Sequence, residues 1–184
     1  ITAAPVAAGG RIFTLDADAG LQATSTASGE VLWRVDLTPG FERGGGISGG
    51  SLALGGGRLF ATSGYGELIA LDPATGNVLW RQRLAAGLGA PTLRGDTVYV
   101  VSHDSQAWAL DAETGRIDWQ LPSTPADAVL IGGAAPAVTD RFVVLPFASG
   151  ELVATLPRTG VRIWGTHITG GRLGVAYASI NDIT

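Results

Sequence analysis

The stretch Ala70-Leu71-Asp72-Pro73-Ala74-Thr75-Gly76-Asn77-Val78-Leu79-Trp80 returns as Ala109-Leu110-Asp111-Ala112-Glu113-Thr114-Gly115-Arg116-Ile117-Asp118-Trp119, with Ala, Asp, Thr, Gly and Trp in the same places. Looser copies flank the pair, Ser28-Gly29-Glu30-Val31-Leu32-Trp33 before it and Thr159-Gly160-Val161-Arg162-Ile163-Trp164 after it. In all four a tryptophan follows a glycine by four positions, which uses four of the five tryptophans. Twenty-eight residues before each stand Pro5, Leu52, Pro91 and Pro136. The Trp-to-Trp spacing varies as 47, 39 and 45 residues, yet that inner stretch keeps its length. All variation therefore falls in one connector per copy, as in stacked supersecondary units.

The runs inside a copy are short and β-prone. In the second copy Leu59-Phe60-Ala61-Thr62 is broken by Gly64-Tyr65-Gly66 and resumes as Glu67-Leu68-Ile69-Ala70-Leu71; after the Asp72 to Gly76 turn comes Val78-Leu79-Trp80-Arg81. The short Thr92-Leu93 segment completes a count of four strands joined by tight turns. The other copies repeat the scheme, and helical periodicity is nowhere sustained. Four short antiparallel strands per unit of about 40 to 45 residues is the arithmetic of a β-propeller blade. The fold class expected is all-β, a propeller of four-stranded antiparallel blades with four blades present. The whole chain, 1–184, reads as one partial propeller, with units roughly at 3–37, 50–84, 89–121 and 134–168 and a terminal connector at 169–184.

Composition agrees with this and narrows function. Of 184 residues, 46% are hydrophobic and 15% charged, enough apolar surface for a core. The 28 glycines cluster between the apolar runs, where tight turns need positive φ. A net charge of −4 without any basic cluster argues against nucleic acid and against an anionic membrane surface. No apolar stretch reaches the roughly 20 residues of a transmembrane helix, so direct membrane insertion by this segment is not expected. Zero cysteine excludes disulfides and thiolate metal sites. Methionine is absent as well, and a start at Ile1 reads as a mature or excised piece.

The repeated residues have a mechanical role available. The Asp72 and Asp111 carboxylates are placed to satisfy turn amides. Gly29, Gly76, Gly115 and Gly160 take the positive-φ place, and Trp33, Trp80, Trp119 and Trp164 fill the gap between neighbouring blades. These are structural blade-docking residues rather than a site. The His103-Asp104 pair invites a catalytic reading, but no Ser or Cys nucleophile is placed with it, and a turn is its expected home. His167 lies alone, and no metal-ligand spacing is present. No catalytic residue, cofactor-binding residue or metal ligand is expected.

The two full copies match the pattern A-x-D-x-x-T-G-x-x-x-W of the quinoprotein (PQQ-like) propellers, which the chain resembles over its whole length. Copies one and four keep Ala23 or Ala154, the Gly and the Trp, with Ser25 and Leu156 where Asp would stand. Within that superfamily Leu130 to Val138, Ser149 to Ala154 and the terminal Ser179-Ile180-Asn181-Asp182-Ile183 resemble the BamB family of outer-membrane assembly lipoproteins. The resemblance implies an eight-bladed parent of which these four blades are half. It also implies a periplasmic location at the outer membrane, no enzymatic activity, no cofactor, and a protein partner of the BamA type.

In such a blade the long connectors, Thr38 to Gly50, Pro122 to Gly133 and Gly165 to Thr184, gather on one face, where recognition usually sits. Ala128-Val129-Leu130-Ile131 is an apolar run that either tucks against its own blade or meets a partner. The BamB resemblance implies partner-binding roles for Leu130, Ile131 and Asp182, although Ile131 stands where that family has an arginine and Thr184 where it has a second aspartate. Phe41-Glu42-Arg43 is a further loop apex. Two rival readings remain: a fragment of a PQQ-dependent dehydrogenase, and a sugar- or polymer-binding propeller with Trp108 and Tyr65 as spare channel aromatics. Two open blade edges are expected to pair with the missing half of the propeller, with a second copy, or with each other in a ring of four.

Overall fold

The computed structural model describes residues 3–40, 50–85, 87–123 and 134–168. Among them are sixteen strands in four antiparallel sheets. Blade one holds β1 (Val6–Ala8), β2 (Arg11–Leu15), β3 (Gly20–Ser25) and β4 (Val31–Asp36); blade two holds β5 (Gly50–Gly55), β6 (Arg58–Ser63), β7 (Glu67–Leu71) and β8 (Val78–Arg83). Blade three holds β9 (Thr92–Arg94), β10 (Thr97–Val101), β11 (Gln106–Asp111) and β12 (Ile117–Pro122); blade four holds β13 (Ala137–Val138), β14 (Val143–Pro146), β15 (Glu151–Thr155) and β16 (Arg162–His167). Each sheet is a meander in chain order. No helix long and apolar enough to cross a membrane occurs among the described residues.

One sequence expectation moves. Thr92-Leu93 opens the third sheet, and the innermost strand of the second is Gly50–Gly55. That strand is a Gly-Ser-Leu-Ala-Leu-Gly run without a β-branched or aromatic residue, so propensity hid it; its register against β6, Leu52 opposite Ala61, carries it instead.

Both faces of the middle blades are covered. Leu59, Ala61, Ile69 and Leu71 join Phe13 and Leu15 in the core between blades one and two. Their chain neighbours Phe60, Leu68 and Ala70 point the other way and join Val98, Val100 and Trp108. A third core sets Tyr99 and Val101 against Val143 and Leu145. Successive residues of a strand alternate between faces, so one run feeds two cores and reads as continuously apolar. Leu68 to Leu71 of β7 are all buried for this reason.

The Gly-x-x-x-Trp motif is the joint between blades. Trp33 Nε1 donates to the Pro73 carbonyl at 3.2 Å, Trp80 to Ala112 at 3.1 Å and Trp119 to Pro157 at 2.8 Å, each the following blade's β3–β4-type turn. In that turn Gly76 and Gly115 lie at φ +77° and +74°, and an added Cβ would stand 2.7 Å from the docked indole. Glycine is thus required twice, by backbone conformation and by the ring that lies on it. Within its own sheet each tryptophan pairs across from the motif's alanine, Ala23, Ala70, Ala109 or Ala154, with a register shift immediately beyond it. The small partner and the bulge aim the indole outward toward the next blade. Phe13, Phe60 and Tyr99 back the docked rings at centroid distances of 5.8, 6.0 and 6.0 Å. The Asp72 carboxylate accepts from the Ala74 amide at 2.8 Å and the Thr75 hydroxyl at 2.9 Å; Asp111 binds the Glu113 and Thr114 amides likewise. Those hydrogen bonds, from Ala74 and Thr75 in one turn and from Thr114 in the other, hold both carboxyls below their ordinary value.

Candidate functional site: the connector face

Each connector leaves its blade by the same hydrogen bond. The Leu37, Leu84, Ser123 and Ile168 amides donate to the carbonyls of Ala19, Gly66, Ser105 and Gly150, at 3.0, 2.9, 2.7 and 2.9 Å. The acceptors are the last residues of the turns between second and third strands, all at positive φ. The described connector roots and these turns therefore share one face, opposite the tryptophan-docking turns. Ala19 and Ser105 hold at φ 62° a conformation that favours glycine, so the surrounding bonds over-determine it.

A polar pair closes the end of every blade on this face. Arg34 meets Asp16 at 2.8 Å, Arg81 meets Glu67 at 3.1 Å, and Arg162 meets Glu151 at 2.8 Å, while Gln120 donates to Gln106 in blade three. Glu67, Gln106 and Glu151 open their third strands; blade one has Gly20 there and supplies Asp16 from the preceding turn. The exchange is steric, because a Cβ at Gly20 would fall 2.5 Å from the Asp16 carboxylate.

Two of these pairs grip the root of the preceding connector. Arg81 also donates to the Leu37 carbonyl at 3.1 Å, which fixes the start of the segment running on to residue 50. The Ser123 hydroxyl donates to Glu151, which fixes the start of the segment running on to residue 134. That hydrogen bond, reinforced by Arg162, lowers the Glu151 carboxyl below its ordinary value against the opposing effect of burial. Bare burial of a carboxylate is costly, and paired as here it becomes a directional clamp.

Leu130, Ile131 and Asp182 lie outside the described residues, as does Phe41-Glu42-Arg43. The connector roots that lead to them are described. Sequence reasoning missed the clamp. Its only sequence signal was a carboxylate opening a third strand with an arginine in the fourth, Glu67 with Arg81 and Glu151 with Arg162.

His103 and Asp104 sit in the β10–β11 turn. Asp104 accepts from the Ser102 hydroxyl and from Gln106 Nε2 at 3.0 Å, whereas the His103 ring packs on Gly87, whose added Cβ would meet Nδ1 at 2.8 Å. Burial lowers the imidazole pKa, partly offset by Asp104. The ring and the carboxylate thus serve separate packing roles. Trp108 is only 2% exposed, inside the core between blades two and three, and Tyr65 packs against the core between blades one and two. The aromatic platform that a sugar-binding channel needs is not formed by these two.

A sequence model of the family described as "Outer membrane protein assembly factor BamB" matches residues 17–184. The chain belongs to this family. Among solved structures, BamB from Moraxella catarrhalis superposes with a TM-score of 0.70 at 21% identity, over 90% of this chain and 48% of that one. Quinohemoprotein alcohol dehydrogenase from Comamonas testosteroni gives 0.73 at 20% identity, over 91% and 35%, and the computationally designed Ika8 protein 0.69 at 15%, over 88% and 48%. At these identities the likeness is one of fold. The chain spans about half the length of the Moraxella protein it matches. No curated protein matches it significantly.

The dehydrogenase likeness raises the question of a quinone cofactor and its metal. Among the described residues no three His, Asp or Glu side chains gather as a cation site, and Asp16, Asp72, Asp111, Glu67 and Glu151 are engaged in the turns and clamps above. The described residues do not offer the oxygen donor set such a group requires.

Proposed function

We propose that this BamB-family chain is a non-enzymatic scaffold of the outer-membrane β-barrel assembly machinery that holds a BamA-type partner through its connector face. The observation that carries the reading is the clamp of Glu67–Arg81 on Leu37 and of Glu151–Arg162 on Ser123. A rigid framework that fixes the roots of long, variable connectors is how a scaffold displays recognition loops. Leu130 and Ile131 follow the Ser123 clamp in sequence, and with Asp182 they are the proposed contacts. A periplasmic location at the outer membrane belongs to the same proposal and rests on the family.

Retention of the chain by immobilised BamA-type periplasmic domains tests it. Leu130→Asp combined with Asp182→Arg is expected to abolish retention while the circular dichroism spectrum and melting temperature stay as in the parent. Retention unchanged in that variant would remove these residues from the interface. No retention of the parent, together with saturable binding of PQQ, would replace the scaffold by the dehydrogenase reading.

A further inference from the structure

The connector from β8 to β9, residues 84–91, is shorter than those before and after it, and its second half pairs with the blade it leads to. Gly89 donates to the Val101 carbonyl at 2.8 Å, the His103 amide donates to the Gly87 carbonyl at 3.0 Å, and Leu88 bridges to Ser102 between them. The Leu88 side chain is buried in the core between blades two and three. Segment 87–89 is thus strapped to the connector-face end of β10.

A histidine ring lies on this strap. Gly87, at φ +68°, is covered by the His103 imidazole, whose Nδ1 and Cγ stand 2.8 and 3.1 Å from where a Cβ would be. Nε2 of the same ring is buried and has no hydrogen-bond partner among the described residues. A neutral imidazole tolerates such a place, since one of its nitrogens need carry no proton. The cation does not, because both nitrogens then carry N–H groups and a buried charged donor is left unpaired. Of the charged groups around the ring, Asp104 favours the cation, but its carboxylate is already taken up by the Ser102 hydroxyl and Gln106 Nε2. The connector carries no ionisable side chain, β10 has only Tyr99, and Arg83, which leads into the connector, has the cation's own sign.

We propose that His103 and Gly87 form a pH-operated strap: the neutral ring holds segment 87–89 on blade three, and protonation turns the ring out and frees the segment. Burial holds the imidazole of the closed form below its ordinary value, so the open form binds the proton more readily. The closed form is therefore fully favoured above about pH 6.5 and loses ground as pH falls through its own lower value.

The chain alone suffices for the test, so the strap stands or falls separately from the scaffold reading. Amide protection factors of the 184-residue chain are followed beside an NMR titration of its two imidazoles, from about pH 7.5 to about 5.5. The Gly89 and His103 amides are expected to lose protection by up to about tenfold, since an ordinary imidazole is about nine-tenths protonated at the lower pH. The Leu37 amide, bonded to Ala19 on the same face, is expected to stay unchanged. His103→Phe keeps a ring over Gly87 with no proton to gain, and it is expected to hold the high-pH protection throughout. Gly87→Ala puts a Cβ against the ring; it is expected to show the low protection throughout and to bring the His103 midpoint back toward its ordinary value. A parent His103 midpoint at or above the ordinary value, protection indifferent to pH, or a pH dependence that survives in His103→Phe would each overturn the proposal.

Discussion

The two faces of this half-ring are built on opposite plans. On the docking-turn face the same indole meets the same glycine at each of the three interior joints, with hydrogen bonds of 3.2, 3.1 and 2.8 Å. On the connector face the hydrogen bond that starts each connector is repeated four times, but the side chains around it change: Asp16–Arg34, Glu67–Arg81, Gln106–Gln120, Glu151–Arg162. Uniformity marks the part that only has to assemble. Variation around a fixed root marks the part free to be adapted, and that is the face to which we assign function.

The sharpest way to break this comparison is to remove an indole that is docked and one that is not. Trp119→Ala is expected to lower unfolding stability by about 3 kcal/mol or more, as large core truncations do, whereas Trp164→Ala changes the stability of the single chain by less than about 0.5 kcal/mol. Denaturant titration of the two variants checks both. Next in size is the glycine beneath the ring. Gly115→Ala combines a left-handed penalty with overpacking against Trp80 for about 3 kcal/mol, while Gly29→Ala meets open space and costs about 1 kcal/mol. Equal losses at the two glycines would show that conformation alone, not docking, selects glycine there.

The clamp predicts a pH effect on the other face. Glu151 has a folded pKa below its ordinary 4.5, so the unfolded chain binds its proton more readily. Its contribution is complete above about pH 4.5 and is lost as pH falls through the folded value. In Glu151→Gln the melting temperature should fall less steeply over that acid range than in the parent; identical acid limbs would mean the clamp adds nothing. The smallest expected effect is Ser25→Asp. The Ser25 hydroxyl accepts the Ala27 and Ser28 amides at a long 3.3 Å where Asp72 accepts at 2.8 Å, so the change should raise the melting temperature slightly.

The docking-turn face was legible in the sequence because its chemistry is local: Asp72 binds the amide two residues on and the hydroxyl three residues on, Gly76 answers a local φ, and the Trp follows at fixed spacing. The inner strands were less so. Val6–Ala8 and Ala137–Val138 are too short, and Gly50–Gly55 too glycine-rich, for propensity to show them. The connector clamp left only a faint trace, a carboxylate in the third strand with an arginine in the fourth, and its grip on the connectors was not legible, because Ser123 meets Glu151 and Arg81 meets Leu37 across a blade boundary. Contacts of that kind depend on how blades stack, which no single segment encodes.

The measurement that bears most directly on the scaffold reading is hydrogen–deuterium exchange of the chain with and without BamA-type periplasmic domains. Protection gathered at the connectors after Leu37 and Ser123, with the Asp72 and Asp111 turns unchanged, is the result predicted. Protection confined to the docking turns, or none at saturating partner, would contradict it.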